Sequence, residues 1–252
     1  MTRIDVAAAA EALLAARRTR QWLTALPEGA RPQDDGDAYA IQDEVAKRLG
    51  PVGGWKVGSA TPQSEPFRAP IQADAIFENT DRVPASLFHV IGVEAELAYR
   101  FGRDLPPRDA AYTREEVLAA VDTLHPVIEL VDTRFTAPGA TDPPSHRADH
   151  NNNGALAVGA AAPAWRGIDP LRQPVRLTID GALRHEGVGG NTAGDNIRLL
   201  VWMANQGARS LGGLRAGQIV TTGSCSGILF VDPPARLAAV FEGVGRVEIE
   251  VA

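Results

Sequence analysis

Two carboxylates on a strand-like segment are the first residues whose spacing suggests chemistry. Glu94 and Glu96 lie in Gly-Val-Glu-Ala-Glu-Leu-Ala-Tyr. Side chains alternate along a strand, so both would point to one face with Cα atoms roughly 6.5–7 Å apart, close enough to bind one cation. An amphipathic strand whose acidic face meets solvent has the same pattern. The pair alone therefore leaves both interpretations open.

A third carboxylate, Glu129, favours the cation. It lies in Pro126-Val-Ile-Glu-Leu-Val131, a run apolar enough to be a buried strand. An ionised carboxylate there is costly unless a metal or a partner compensates it, although an exposed strand or a pairing with Arg134 would also satisfy the sequence. Three carboxylates form an all-oxygen ligand set that suits Mg²⁺ or Mn²⁺ and leaves about three positions for water or a chelating substrate.

Lys56 is the candidate for contact with an anionic substrate. It lies in Gly54-Trp-Lys-Val-Gly58, where glycines permit close packing and apolar neighbours draw the stem inward. A lysine in this position could bind a carboxylate or an enolate, or act as an acid. A strand lysine whose ammonium simply reaches water is the alternative.

Two polar segments could supply the remaining hydrogen bonds. Asp149-His-Asn-Asn-Asn-Gly154 precedes an apolar strand, and Thr221-Thr-Gly-Ser-Cys-Ser-Gly227 ends another. Asn151 in the first segment, and Thr222 and Ser224 in the second, are candidates for binding the substrate. Structural turns would explain both segments equally well.

Several other chemistries are excluded by missing motifs. The glycines of Gly187–Gly194 lack the spacing and the lysine of a phosphate-binding loop, so we reject a nucleotide site. No Gly-x-Ser-x-Gly or His-Glu-x-x-His motif occurs, which argues against a serine hydrolase or a zinc protease. Cys225 is the only cysteine, so a disulfide or thiolate cluster is excluded and a buried apolar role is its common fate.

Composition indicates a folded protein that acts on small molecules. Of 252 residues, 44% are hydrophobic and 22% charged, as in ordinary globular chains. The net charge is −6 and basic residues do not cluster, which argues against nucleic acid as a partner. The Ala-rich run at residues 6–16 contains Glu11 and is too short to span a membrane. We expect a cytoplasmic protein without a membrane partner.

The N-terminal part of the sequence predicts helices. Apolar residues recur at helical spacing over residues 4–26, and Pro27 stops the run. A second helix is predicted over residues 37–49, with Asp35 or Asp37 as N-cap. Together they predict a helical cap over residues 1–52, followed by a metal-binding, β-rich catalytic core over residues 53–252.

The core reads mainly as short strands broken by glycine and proline. Strands are predicted at residues 55–58, 90–100, 127–131, 155–159, 175–179, 182–185, 218–222 and 244–251. Asp180-Gly181 predicts a two-residue hairpin turn. A capping box, Thr113-Arg-Glu-Glu116, predicts a helix over residues 117–124, and Asp195 could cap another over 196–208. Residues 136–144 read as a loop at the rim of the site.

The ordered set of motifs resembles a known family. Gly-Trp-Lys-Val-Gly, Val-Glu-Ala-Glu-Leu-Ala, Ile128-Glu-Leu-Val-Asp132, Ala148-Asp149 and Thr-Thr-Gly-Ser together resemble the hydratase and decarboxylase branch of the fumarylacetoacetate hydrolase-like family, from about Tyr39 to the C-terminus. The resemblance implies an α+β fold with a mainly β core, a twisted mixed β-roll with N-terminal and peripheral helices. It also implies the site residues: Glu94, Glu96 and Glu129 on Mg²⁺ or Mn²⁺, with Lys56, Asp74 and Asp149 as catalytic residues.

The implied activity is that of a metal-dependent hydro-lyase in aromatic-compound catabolism. It would add water to a 2-hydroxy-2,4-dienoate of the 2-keto-4-pentenoate type and release a 4-hydroxy-2-oxo acid. A 4-oxalocrotonate-type decarboxylase or an acylpyruvate C–C hydrolase could use the same metal site, the hydrolase with His146 or His150 as base. A non-catalytic partner subunit is the alternative of another class.

The resemblance also implies a homo-oligomer, which could associate with a decarboxylase or hydratase of its pathway. The sequence departs from the family's usual pattern in Asp-His-Asn-Asn-Asn, where serine or alanine is commoner. It departs again in Gly-Asn-Thr-Ala-Gly-Asp-Asn and in Ser224-Cys-Ser-Gly227. These departures bear on the identity of the substrate.

Overall fold

Two helices precede the β-rich core. The computed structural model describes residues 4–162 and 164–252, so the first three residues of the predicted cap lie outside the described residues. Helix α1, Val6–Thr19, begins at Asp5, whose carboxylate accepts a hydrogen bond from the Ala8 amide. It ends at Arg20, which is in the left-handed conformation. The prediction of a helix reaching residue 26 was wrong, because this left-handed residue terminates the backbone ladder.

Helix α2, Asp35–Leu49, lies close to its predicted position. Its N-cap is Asp34, which has an extended backbone and accepts a hydrogen bond from the Asp37 amide. The predicted N-caps, Asp35 and Asp37, were therefore wrong: both lie inside the first turn, where their negative charges favour the helix dipole.

Two mixed sheets form the core. The strands are β1 Val52–Gly58, β2 Phe67–Gln72, β3 Ile76–Glu78, β4 Arg82–Val83, β5 Gly92–Phe101, β6 Val121–Val131, β7 Asn153–Val158, β8 Pro174–Ile179, β9 Ala182–Val188, β10 Ile219–Ser224, β11 Leu229–Phe230, β12 Ala235–Phe241 and β13 Gly245–Val251. The larger sheet has the order β2-β1-β10-β5-β6-β7-β3, with β11 beside β5, and the smaller has the order β4-β13-β12-β8-β9. Parallel pairs occur within both sheets. The predicted α+β class with a mainly β core is confirmed.

Three further helices lie between strands: α3 Arg114–Ala120, α4 Pro143–Ala148 and α5 Asn196–Trp202. The capping box at Thr113 and Glu116 is confirmed. The helix it starts is shorter than predicted, because Val121 is extended and begins β6 opposite Phe101. Asp195 caps α5 as predicted, but the α-helix stops at Trp202 and continues as one π-helical turn, Met203–Gly207.

The structure contains the predicted hairpin turn, and the predicted rim loop is shorter than expected. Asp180 and Gly181 both have positive φ between β8 and β9, which confirms the predicted turn. The loop predicted over residues 136–144 ends at Asp142, because its carboxylate accepts a hydrogen bond from the Ser145 amide and caps α4.

The helical cap has its own apolar core. Buried residues of α1 and α2 form a cluster that also contains Phe135 and Ala148. Leu23 forms a β-bridge with Phe135. The cap is thereby packed against the segment that leads to Asp149. Within the described residues, no helix combines the length and the hydropathy needed to cross a membrane.

Candidate metal centre

The three predicted carboxylates converge on one point between β5 and β6. These strands are antiparallel, and their register places Glu94 directly opposite Glu129. Glu96 follows two residues later on the same face of β5. One oxygen from each of the three carboxylates lies within 4.8 Å of the others. Like charges placed directly opposite each other destabilise a sheet, so the arrangement needs a cation.

Each of the two buried carboxylates has one oxygen held by the protein. Glu96 Oε2 accepts hydrogen bonds from the Gly223 amide, at 3.0 Å, and from the Thr221 hydroxyl. Glu129 Oε1 accepts from Lys56 Nζ at 2.5 Å and from Asn153 Nδ2 at 3.1 Å. Glu129 Oε2 is buried without a hydrogen-bond partner among the described residues. Buried polar atoms nearly always have a partner, so this oxygen is a candidate ligand for a metal ion.

Lys56 enters the site from β1. Parallel pairing with β10 places it beside Thr221, and its ammonium donates to the Asn151 carbonyl at 3.0 Å as well as to Glu129. Burial alone would lower the pKa of Lys56, but the Glu129 and Glu94 carboxylates reverse the effect and raise it above its ordinary value. The ammonium therefore remains charged at neutral pH.

The remaining carboxylates hold their protons more tightly than usual. Burial and the Glu129 carboxylate raise the pKa of Glu94. Burial, followed by the charges of Glu129 and Glu94, raises the pKa of Glu96 well above its ordinary range. One ammonium does not neutralise three carboxylates, so a divalent cation would relieve the excess negative charge. The all-oxygen donor set suits Mg²⁺ or Mn²⁺.

A cavity of about 160 Å³ opens in front of these groups. It is lined by Lys56, Val57, Gly58, Ser59, Phe67, Glu94, Glu96, Glu129, Asn191, Thr192, Gly223 and Ser224. Such a space accommodates a small molecule of a few carbon atoms.

Two predicted catalytic residues lie outside this lining. Asp74 is exposed on a short turn, Ala73–Ala75, and its role stays a prediction. Asp149 is buried, and its carboxylate accepts hydrogen bonds from the Arg134 side chain and amide and from the Thr133 hydroxyl. These contacts tie Asp149 to Arg134 and Thr133, and its catalytic role also stays a prediction.

Of the predicted substrate-binding residues, Lys56 and Ser224 line the cavity, and Asn151 and Thr222 do not. Ser224 lines the cavity beside Glu94, and its hydroxyl partly offsets the rise in the pKa of that carboxyl. Asn151 contributes its backbone carbonyl to Lys56, while its side chain donates to the Arg68 carbonyl. Thr222 points away from the lining: its hydroxyl donates to the Leu97 carbonyl and accepts from the Asn196 amide. Adjacent residues on a strand face opposite sides, which explains why Thr221 reaches Glu96 and Thr222 does not.

Sequence reasoning missed several residues of the site. Asn153 was only part of a polar run, yet its amide reaches Glu129. Asn191 and Thr192 come from the glycine-rich segment rejected as a nucleotide loop, and they close the cavity by bonding to the backbone at Thr222 and Ser59. Phe67 adds an apolar wall from β2, a strand that had not been predicted. Asn153, Asn191 and Thr192 lie in segments that depart from the family's usual pattern, and this departure was the sequence signal that could have identified them.

Neither histidine proposed as a hydrolytic base lines the cavity. His150 is buried, and burial followed by the charges of Arg17 and Arg134 lowers its pKa well below the ordinary value. Burial also lowers the pKa of His146, with Lys56 adding to the effect.

Two mixed sheets that hold a carboxylate cluster in front of a small cavity suit an enzyme that binds a divalent metal. Comparison with known proteins identifies the family. Residues 44–252 match the family described as fumarylacetoacetate (FAA) hydrolase C-terminal. The chain belongs to the fumarylacetoacetate hydrolase family.

The proteins similar to this chain include hydratases and a decarboxylase. The chain is 29% identical over 253 residues to a 2-keto-4-pentenoate hydratase of Paraburkholderia xenovorans (strain LB400), covering 96% of this chain and 93% of that protein. It is 27% identical over 230 residues to a 2-oxo-hept-4-ene-1,7-dioate hydratase of Escherichia coli, covering 81% and 80%. The fold is similar to that of 4-oxalocrotonate decarboxylase from Pseudomonas putida G7, complexed with magnesium and adipate, with a TM-score of 0.85, 21% identity and coverage of 98% and 97%.

Removal of divalent metal should destabilise the protein in a pH-dependent way. A metal at about one hundred times its dissociation constant adds about 2.7 kcal/mol of stability, so EDTA should lower Tm by roughly 5–10 °C. The folded-state pKa values of Glu94 and Glu96 are raised, so protonation favours the folded state. That contribution is present at low pH and is lost as pH rises through the raised pKa values.

The measurement is thermal unfolding of EDTA-treated protein over a pH series that runs upward from the ordinary glutamate value of 4.5 to about pH 8, in which the metal-free Tm should fall as pH rises through the raised pKa values. Glu96→Gln is the matched control: its metal-free Tm should exceed that of the wild type at pH 8, and added Mg²⁺ should change it little. A metal-free Tm that does not depend on pH in this range would contradict the prediction.

Proposed function

We propose that this protein is a divalent-metal-dependent hydratase that adds water to a 2-hydroxy-2,4-dienoate and forms a 4-hydroxy-2-oxo acid. The observation that carries the proposal is the cluster of Glu94, Glu96 and Glu129, with the Lys56 ammonium beside it and a small cavity in front. The names of the hydratase relatives support the same reaction class.

The bound cation would supply Lewis acidity toward the carboxylate and 2-oxygen of the substrate. Lys56 carries a permanent positive charge next to this position and would stabilise the negative charge that develops as the dienol becomes a ketone. Its Nζ also lines the cavity, where it can donate a hydrogen bond to the substrate oxygen that carries this charge. The Ser224 hydroxyl lines the cavity beside Glu94 and would bond to the substrate, and Phe67 would give the carbon chain an apolar wall.

In this reaction the enol proton leaves the 2-oxygen and the terminal carbon gains a proton, so the double bonds shift toward the new ketone. Water then adds its oxygen to the neighbouring alkene carbon, and its second proton goes to the carbon next to the ketone. One water molecule is consumed and nothing is released, so the chain needs no group beyond a proton donor and an acceptor.

The far end of the cavity favours a substrate with an uncharged tail. Among the described residues that line it, Lys56 is the one cation, and it is already paired with Glu129. Apart from Lys56 and the three glutamates of the metal centre, the lining residues are neutral, including Ser59, Phe67 and Thr192. A second carboxylate, as in 4-oxalocrotonate, would have no cation there, and an unpaired buried charge is costly. We therefore place hydration of a monocarboxylate ahead of decarboxylation of a dicarboxylate. We also place it ahead of C–C cleavage, because neither candidate base, His146 or His150, lines the cavity.

The test follows loss of the ultraviolet absorbance of 2-hydroxypenta-2,4-dienoate. Turnover on the order of 10 per second, the median for enzymes, is expected with Mg²⁺ or Mn²⁺ and should fall to background after EDTA. 4-Oxalocrotonate, followed by release of carbon dioxide, should react at least about 10-fold more slowly, because its second carboxylate would be left unpaired. An acylpyruvate, followed by cleavage, should also react more slowly, because neither His146 nor His150 lines the cavity to act as the hydrolytic base.

Glu94→Gln is the control, since it removes a ligand charge from the rim of the site and should lose both metal binding and turnover. Faster turnover of either comparison substrate would replace the hydratase assignment with that activity. A cytoplasmic location and a homo-oligomeric assembly, associated with a decarboxylase or hydratase of the same pathway, belong to the same proposal through the family resemblance.

A further inference from the structure

Three consecutive residues next to the metal centre have a backbone conformation that side chains disfavour. His150, Asn151 and Asn152 have φ values of 52°, 49° and 58°. Each residue in this left-handed region costs roughly 1–2 kcal/mol unless it is glycine. Asparagine tolerates the region better than most residues, but three in a row persist only where the surroundings hold them.

Arg134 holds this left-handed turn at both ends. Its guanidinium is buried and donates to the Asp149 carbonyl at 2.8 Å and to the Asn153 carbonyl at 3.0 Å. The Asp132 amide donates to the Asn152 carbonyl at 2.9 Å. Five guanidinium donors in a rigid fork allow one side chain to fix several backbone oxygens. The turn is therefore a built element and not a loose connection.

The turn delivers two groups to the metal centre. The Asn151 carbonyl accepts from Lys56 Nζ, and the Asn153 amide donates to Glu129 Oε1 at 3.1 Å. Because Lys56 also donates to Oε1, that oxygen has two donors. The other oxygen of Glu129, Oε2, is buried and has no donor in the described part of the chain.

We propose that Asn153 is a positioning residue of the metal centre, which by holding Glu129 Oε1 reserves Oε2 for the cation. Glu129 would then be a monodentate ligand through one defined oxygen. The inference rests on the metal site of the proposed function.

The experiment measures Mn²⁺ affinity by electron paramagnetic resonance, in the absence of substrate. Asn153→Ala should weaken Mn²⁺ binding about 10-fold, the lower end of the usual effect of removing a group that orients a metal ligand. In turnover assays, the Mn²⁺ concentration for half-activation should rise by the same factor, while kcat at saturating Mn²⁺ stays within about 3-fold of the wild type. Should the alanine variant not fold, Asn153→Leu removes the amide donor at a similar side-chain volume and supplies no hydroxyl to replace it, so it should weaken binding similarly.

Asn205→Ala is the matched control. Asn205 makes two hydrogen bonds to the backbone of Tyr112, at 2.7 and 3.0 Å, and does not line the cavity. Its loss should lower Tm and leave Mn²⁺ affinity unchanged. Unchanged Mn²⁺ affinity in folded Asn153→Ala overturns the inference. Wild-type protein that binds Mn²⁺ but hydrates no dienoate overturns the proposed function alone, and wild-type protein that binds no Mn²⁺ overturns both.

Discussion

Lys56→Met should bind Mn²⁺ at least as tightly as the wild type and lose at least about 100-fold in turnover, the low end for a group that transfers a proton or stabilises developing charge. The ammonium lies 2.5 Å from a carboxylate of the metal cluster. Two like charges near 4 Å repel by about 4 kcal/mol at an effective dielectric of 20. Removing the ammonium therefore removes repulsion toward the incoming cation, while the reaction loses its charge stabilisation.

The measurement pairs Mn²⁺ titration with the dienoate assay on the same preparation. The variant should also have a lower metal-free Tm, because three carboxylates are then uncompensated, and metal should restore more of its stability than in the wild type. Lys47→Met is the matched control, since Lys47 is exposed on α2 and its loss should change neither affinity nor turnover. A Lys56→Met enzyme with wild-type turnover would exclude Lys56 from the chemistry.

Asp149→Asn should cost about 3–5 kcal/mol of the free energy of unfolding, the usual penalty for removing one partner of a buried ion pair. The Asp149 carboxylate and the Arg134 guanidinium are both nearly inaccessible to solvent, at 2% and 1% exposure. Asp132 is the other carboxylate near this guanidinium, at 3.7 Å, too far for a hydrogen bond. The variant leaves a buried positive charge poorly compensated and loosens the left-handed turn that Arg134 holds.

Chemical denaturation gives the free energy, and Tm should fall on the order of 10 °C. Glu250→Gln makes the same carboxylate-to-amide change on the surface, where Glu250 pairs with exposed Arg236, and it should cost less than about 1 kcal/mol. A stability loss in Asp149→Asn no larger than that of the control would show that the ion pair contributes little. The variant should also bind Mn²⁺ more weakly, because the turn no longer fixes Asn153.

The strands that sequence reasoning found and those it missed differ in composition. The predicted strands at β5 and β13 have alternating or continuous apolar residues. Strand β2 contains Pro70, which lowers strand propensity, and β12 is rich in alanine, so neither had a local signal. Long-range pairing with β1, β8 and β13 makes them strands. The first four residues of β6 were assigned to a helix because the capping box is a local signal and the pairing of Val121 is not.

Site residues were predictable where the local sequence pattern alone defines their position. Spacing alone places Glu94 and Glu96 on one face of a strand, and the apolar surroundings of Glu129 mark it as costly. The register that sets Glu94 opposite Glu129 joins residues 35 positions apart, and no local pattern defines it. The contact of Asn153 with Glu129 depends on a left-handed turn held by Arg134, which only the folded chain shows.

The small core of the N-terminal helices ties the periphery of the molecule to its chemistry. Phe135 and Ala148 pack into that core, and they are the chain neighbours of Arg134 and Asp149. Elements that share buried contacts tend to open together. Fraying of α1 and loosening of the metal ligands would then be one cooperative event. A protein shortened to the residues that match the family, 44–252, would begin within α2. It would keep the three candidate ligands and lose the support that holds Asp149, Arg134 and the turn in register.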